Sequence, residues 1–180
     1  MRKVEVVPHN PDWRSQFMAE SQTIATALGS NVITIHHIGS TAIPGIYAKP
    51  IIDLLVEVES ITQMDQQVAV MQALGYEAMG EYGIPGRRYF RKHNAEGDRT
   101  HHAHAFQTGS PEIKRHLIFR DYLIAHPADA QAYSELKQQL AKQHPHDIEA
   151  YMDGKDGLIQ AIAQRAAQFE EFCKIPTGEV

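Results

Sequence analysis

Residues 38–58 read Ile38-Gly39-Ser40-Thr41-Ala42-Ile43-Pro44-Gly45-Ile46-Tyr47-Ala48-Lys49-Pro50-Ile51-Ile52-Asp53-Leu54-Leu55-Val56-Glu57-Val58. The stretch predicts the end of a strand, a small-residue turn, a loop fixed by Pro44 and Gly45, and a second strand. Gly39 has no Cβ to block a ligand's approach to the backbone. Ser40 and Thr41 add hydroxyls and backbone N–H groups that suit phosphate oxygens. The run from Ile51 to Val58 is apolar enough for a strand buried on both faces. An ionised carboxylate is costly there unless paired, so Asp53 needs a metal ion or a basic side chain beside it. Lys49, just ahead of this strand, either neutralises a phosphate or sits in water.

Upstream, Asn10-Pro11-Asp12 is a helix start, with a capping side chain, a proline in the first turn and an acid beside the helix N-terminus. Trp13, Phe17, Ile24 and Leu28 form one stripe, and Gly29 ends the helix. Residues 32–38 are the first strand of the motif, with His36 and His37 on opposite faces. Downstream, Ser60 caps a helix that Gly75 ends, and a short strand is expected over residues 76–79. Gly80, Gly83, Pro85 and Gly86 mark a loop. Residues 87–92 and 99–106 read as a β-hairpin around Gly97. Period-two alternation places His102, His104 and Phe106 on one face of its second strand. Arg88 and Lys92 share a face of the first. With Arg87, Arg91 and Arg99 they concentrate positive charge, either solvated or arranged to recognise phosphate.

From Ser110-Pro111 onward the pattern is helical. Helices break at His126-Pro127 and Pro145, and a final one runs from Asp147 to about Phe172 with an interruption expected at Gly154. The fold expected is α/β (α+β): a mixed sheet with helices, followed by a C-terminal helical part. Residues 1–180 are read as one domain, sheet-rich to about 108 and helical over about 109–173.

The chain has 180 residues and a net charge of −5 with histidine neutral. That charge argues against a general nucleic-acid binder, which needs a basic excess. Cys173 is the only cysteine, so no disulfide forms within the chain and a reducing cytoplasm fits. Cys173 is not expected to be catalytic, and the tail from Lys174 to Val180 is expected to fray. No apolar run is long enough to span a membrane, and the first residues lack a signal-peptide core.

The glycine–serine turn followed by an acid on a strand resembles the signature of the nucleotidyltransferase superfamily. Nearly the whole chain resembles the GrpB family. The resemblance rests on Val6-Val7-Pro8 with Pro11 and Trp13, His37-Ile38-Gly39-Ser40-Thr41 with Pro44-Gly45, and Lys49-Pro50-Ile51-Ile52-Asp53. It continues in Arg99-Thr100-His101-His102-Ala103-His104 and in Tyr151 with Lys155. It implies a nucleotidyltransferase-like fold and a nucleoside triphosphate, or another phosphorylated small molecule, as partner. Phosphates would lie on Gly39, Ser40 and Thr41, and Asp53 would hold a divalent Mg or Mn ion. Lys49, Arg88, Lys92 and Lys155 would neutralise the phosphates.

One departure from the superfamily pattern bears on activity. The second acid expected two residues after the first is Leu55 here, and Glu57 is ~13 Å along the strand from Asp53. His102 and His104 offer a replacement. Two residues apart on a strand, they are ~7 Å apart at Cα and able to converge on one ion. Asp53, His102 and His104 would make a two-histidine, one-carboxylate site that suits a transition metal better than Mg²⁺. Alternatively the histidines pack, or donate to a substrate phosphate. Three functions follow: a metal-dependent nucleotidyltransferase, a non-catalytic nucleotide- or anion-binding protein, and a metal-dependent phosphoester hydrolase.

Overall fold

In the computed structural model, residues 3–174 are described, with side chains through residue 170. The expectations about Cys173 and the frayed tail lie outside the described side chains and residues. Five strands, β1 (Val32–Ile38), β2 (Ile52–Val58), β3 (Tyr76–Ala78), β4 (Arg88–His93) and β5 (Arg99–Gln107), form one sheet in the order β1-β2-β5-β4-β3. The central β2–β5 pair is parallel and the other pairs are antiparallel. The fold is therefore the mixed α+β class expected, with a helical C-terminal part.

The sheet's two faces differ in what covers them. One face carries Leu54, Val56, Ala103, Ala105 and Phe90. It packs on α1 (Asp12–Leu28), α2 (Ile61–Gln66) and α3 (Val68–Ala73) through Trp13, Ile24, Met64 and Met71. Asn10 Oδ1 accepts from the Asp12 N–H at 2.9 Å, as its capping role requires. The single helix expected after Ser60 is instead two short ones broken at Gln67, whose side chain donates to Leu28 O and accepts from Asn31. The opposite face carries Asp53, Leu55, His102, His104 and Phe106. It is covered in part by α4 (Pro111–Ala125), through Ile113 and Leu117.

α4, α5 (Pro127–Gln143) and α6 (Ile148–Lys174) pack together around Ile43, Ile46, Leu123, Tyr133 and Ile162. The loop after Gly39 is thereby pinned between sheet and helices. α6 is continuous through Gly154, contrary to the interruption expected there. A Cβ on Gly154 would sit 2.5 Å from Leu140 Cδ2, so this glycine serves the close approach of α6 to α5.

Candidate active site

β1 ends at Ile38, and Gly39 turns the chain with φ of 71° into a single 3-10 turn, Ser40–Ala42. Ile38 pairs with Asp53 across the sheet, which brings the turn over the carboxylate. A Cβ on Gly39 would lie 2.5 Å from Asp53 Oδ2. Glycine is thus required twice over, by conformation and by space.

The parallel register pairs Asp53 with His102 and Leu55 with His104, so all four side chains share one face. His102 Nδ1 lies 3.0 Å and His104 Nε2 3.6 Å from Asp53 Oδ1. Burial opposes ionisation of Asp53, but the hydrogen bond from His102 and then the nearby His104 ring outweigh it and hold the carboxyl well below the usual range. Burial lowers the His104 pKa, with Asp53 opposing, so its neutral form is favoured. Arg87 Nη1 is 3.3 Å from His104 Nδ1. A guanidinium only donates, so Nδ1 accepts and the ring proton sits on Nε2, facing Asp53.

The donor atoms of Asp53, His102 and His104 all lie within 4.8 Å of one another. By distance and donor type the trio fits a divalent ion, and its two imidazoles favour a transition metal over Mg²⁺. Ligation through His104 Nε2 requires the ring proton to move to Nδ1 and Arg87 to give up its contact there. Leu55, in the place of a second acid, is fully buried with Ile38, Phe106 and Ile113. Glu57 is turned to other work, at 3.9 Å from His36 and accepting from Thr108.

Near Asp53, and touching the loop between β1 and β2, is a cluster of lysines on aromatic rings. Lys137 of α5 and Lys155 of α6 are only 2% and 6% exposed. Lys137 Nζ donates to Tyr47 O and lies 4.5 Å from the Tyr133 ring centre. Lys155 and Lys49 lie 4.6 and 5.5 Å from the Tyr151 ring centre. Ser40 neighbours Tyr133 and eases the rise that burial imposes on the phenol's pKa, which ties the cluster to the turn. Burial, then repulsion from Lys155 and Lys49, pushes Lys137 down to about 7. Burial, then Lys49, pushes Lys155 down to about 8, while the Asp53 charge opposes. No carboxylate forms an ion pair with Lys137 or Lys155 among the described residues.

The structure thus brings together Asp53, His102, His104, Gly39, Ser40, Lys49 and Lys155. It does not bring Arg88 or Lys92. Both lie on the other face of β4: Arg88 pairs with Asp65 at 2.5 Å, and Lys92 pairs with Glu20 at 2.8 Å. A strand alternates sides every residue, so the face that turns His102 toward Asp53 turns Arg88 and Lys92 away. Thr41 is also corrected. It is 3% exposed, and its hydroxyl accepts from His37 Nε2 at 2.9 Å and donates to Ile51 O at 3.4 Å. It braces the turn rather than facing a ligand.

Two groups escaped the sequence reading. Lys137 falls on the buried stripe with Tyr133 and Leu140, and a lysine on an apolar stripe was the available signal. Tyr89 belongs to the Asp53 face of the hairpin, as does Arg87, which the sequence offered only as one of five basic residues. The Tyr89 ring lies 5.5 and 5.1 Å from the His102 and His104 rings. The only signal for that face was the register, which the sequence leaves open.

The site combines an acid beside a glycine turn, two imidazoles and buried lysines, an arrangement suited to phosphate chemistry. The profile of the GrpB family ("GrpB protein") matches residues 3–165. The chain belongs to the GrpB family. It is 48% identical to the "UPF0157 protein YqkA" of Bacillus subtilis over 99% of this chain and 52% of that protein, so it spans about half of YqkA. It is similar to the crystal structure of GrpB from Enterococcus faecalis, with 44% identity and a TM-score of 0.87 over 92% of this chain and 99% of that one. A looser likeness, with 12% identity and a TM-score of 0.46, covers 73% of this chain and 45% of the Cid1 poly(U) polymerase bound to MgATP; it carries no argument about activity. Among the described residues no helix is long and apolar enough to cross a membrane.

Proposed function

We propose that the protein is a metal-dependent nucleotidyltransferase that takes a nucleoside triphosphate as donor. The observation that carries this reading is the pair of buried lysines, Lys137 and Lys155, which form no carboxylate ion pair among the described residues; Lys155 feels the Asp53 charge, and Lys137 lies on the Tyr133 ring that neighbours Ser40. Two buried cations are costly without a counter-charge, and a polyphosphate supplies one. Asp53, His102 and His104 would hold a divalent ion, which would spread the charge that builds on the transferring phosphoryl group.

The chain's own residues do the rest. Gly39 lets the phosphates approach the backbone, and Ser40 offers a hydroxyl. Lys137, Lys155 and Lys49 hold the β- and γ-phosphates and stabilise the leaving pyrophosphate. The acceptor hydroxyl oxygen forms a bond to the α-phosphorus. The bond from that phosphorus to the bridging oxygen breaks, pyrophosphate leaves with the electron pair, and the hydroxyl proton passes to solvent.

The test is incubation with α-labelled nucleoside triphosphates, Mn²⁺ or Mg²⁺ and a cell extract, with calorimetry of triphosphate binding alongside. Label should move to an acceptor, and Asp53→Ala should stop it. Triphosphate binding that is indifferent to loss of Lys137 and Lys155 would overturn the reading. The two-histidine donor set, with Leu55 in place of a second acid, favours phosphoester hydrolysis as a second reading. Release of labelled monophosphate to water, with no labelled acceptor, would select it.

A further inference from the structure

Resting on the nucleotidyltransferase reading, the geometry of the loop between β3 and β4 assigns the second substrate. Tyr82 is 60% exposed and is the only non-glycine with positive φ, 44°, among the described residues. A bulky side chain in that conformation is uncommon and needs surrounding structure to hold it. Arg87 does so. Its Nε donates to Glu81 O at 3.1 Å and its Nη2 to Tyr82 O at 2.6 Å, while Gly86 N donates to Glu81 Oε1 at 2.7 Å. The outcome is a ring stacked on Tyr89, with centres 5.3 Å apart. Tyr89 is 7% exposed and contacts both histidines of the site. One face of Tyr82 therefore covers the wall of the site, while the residue as a whole stays mostly in solvent.

The sheet order fixes what lies on each side. Ser40 follows β1, on one flank of Asp53; Tyr133 neighbours it, and Lys137 lies over the Tyr133 ring and donates to Tyr47 O in the loop between β1 and β2. Tyr89 lies on β4, on the other flank beyond the histidines. In an in-line displacement the attacking oxygen and the leaving group stand on opposite sides of the phosphorus. With pyrophosphate on the lysine flank, the acceptor enters from the Tyr89–Tyr82 flank. We propose that Tyr82 is a stacking platform for the acceptor, and that the acceptor is an alcohol carried on a flat ring, as in a nucleoside.

The test uses the full chain, with inorganic tripolyphosphate and Mn²⁺ present to fill the donor flank. Adenosine is titrated as the ring-bearing probe and ribose as the ringless control. Adenosine should bind and ribose should not. Tyr82→Leu should weaken adenosine about tenfold or more, as loss of a base-stacking ring does, and Tyr82→Phe and Tyr82→Trp should retain it. Tripolyphosphate affinity should stay unchanged in all three variants. Wild-type adenosine affinity in Tyr82→Leu, equal binding of ribose, or no adenosine binding overturns the assignment. If Tyr82→Leu melts early, Tyr82→Trp decides, because weaker adenosine binding with that larger ring also overturns it. Failure of tripolyphosphate to bind the wild-type protein is a separate result and refutes the donor reading instead.

Discussion

The basic side chains of β4 and those of the helical half have opposite fates. Arg88, Arg91 and Lys92 each meet a carboxylate: Asp65, Glu77 and Glu20 respectively. Lys137 and Lys155 are more deeply buried and meet tyrosine rings and a backbone carbonyl instead. A cation with a carboxylate has its charge compensated inside the fold. A buried cation without one leaves the protein short of a negative charge, which a ligand can bring. On the proposed reading, density of positive charge along the sequence points to the wrong strand, and the missing carboxylate partners among the described residues point to the anion site.

That contrast is broken most directly by exchanging the two sets. Replacing Lys137 and Lys155 together by Met should lower tripolyphosphate affinity by about a hundredfold or more, since each removes a charge-assisted contact of about 1.5–3 kcal/mol. The same pair should leave stability unchanged or raise it, because two desolvated charges are removed. Arg88→Gln with Lys92→Gln should leave affinity within about twofold. Calorimetry and denaturant unfolding read both, and a large affinity loss in the β4 pair would overturn the contrast.

The effect of pH comes next. The folded pKa values of Lys137 and Lys155 are depressed to about 7 and about 8. Below those values both are charged, and ligand binding needs no proton uptake. As pH rises through them, binding must recharge the lysines, so affinity falls. From pH 7 to pH 9, tripolyphosphate affinity should drop about tenfold or more, with proton uptake visible as a buffer-dependent heat. For stability the sign is reversed: the unfolded chain holds more protons than the folded one above about pH 7, so these two groups make the ligand-free protein more stable as pH rises toward the ordinary lysine range. A flat affinity profile would mean that other groups carry the anion.

Gly39→Ala tests the joint between turn and acid. The added methyl meets Asp53 Oδ2, and the backbone there, φ 71° with ψ −174°, is one that only glycine adopts readily. The expected cost is about 2–4 kcal/mol of stability, read by denaturant unfolding.

Gly154→Ala should have the smallest effect. The new methyl meets Leu140, a side chain able to yield, and helix propensity recovers part of the loss. A net cost of about 1 kcal/mol is expected, with a few-fold weaker tripolyphosphate binding as α5 and α6 separate. Unchanged binding would show that the lysine pair tolerates a wider spacing.

The sequence alone determined the motif and its local structure. Gly39, the apolar β2 run and the lone Asp53 are adjacent in the chain, and helix starts at Asn10, Ser60 and Ser110 are local capping chemistry. The hairpin and the shared face of His102 and His104 follow from period-two alternation. Membership of the GrpB family was likewise legible, because the motif residues run nearly the length of the chain.

Only the tertiary structure decided which hairpin face meets Asp53. That depends on the parallel register of β2 with β5, and a shift of one residue would exchange Arg88 for Arg87 and Lys92 for Arg91. It also decided that Lys137, more than 80 residues from Asp53 in the chain, joins the same site, and that Tyr82 stacks over its rim. Capping and alternation are set by neighbours a few residues apart. Register and the docking of α5 and α6 are set by burial shared among segments far apart in the chain, which no local pattern records.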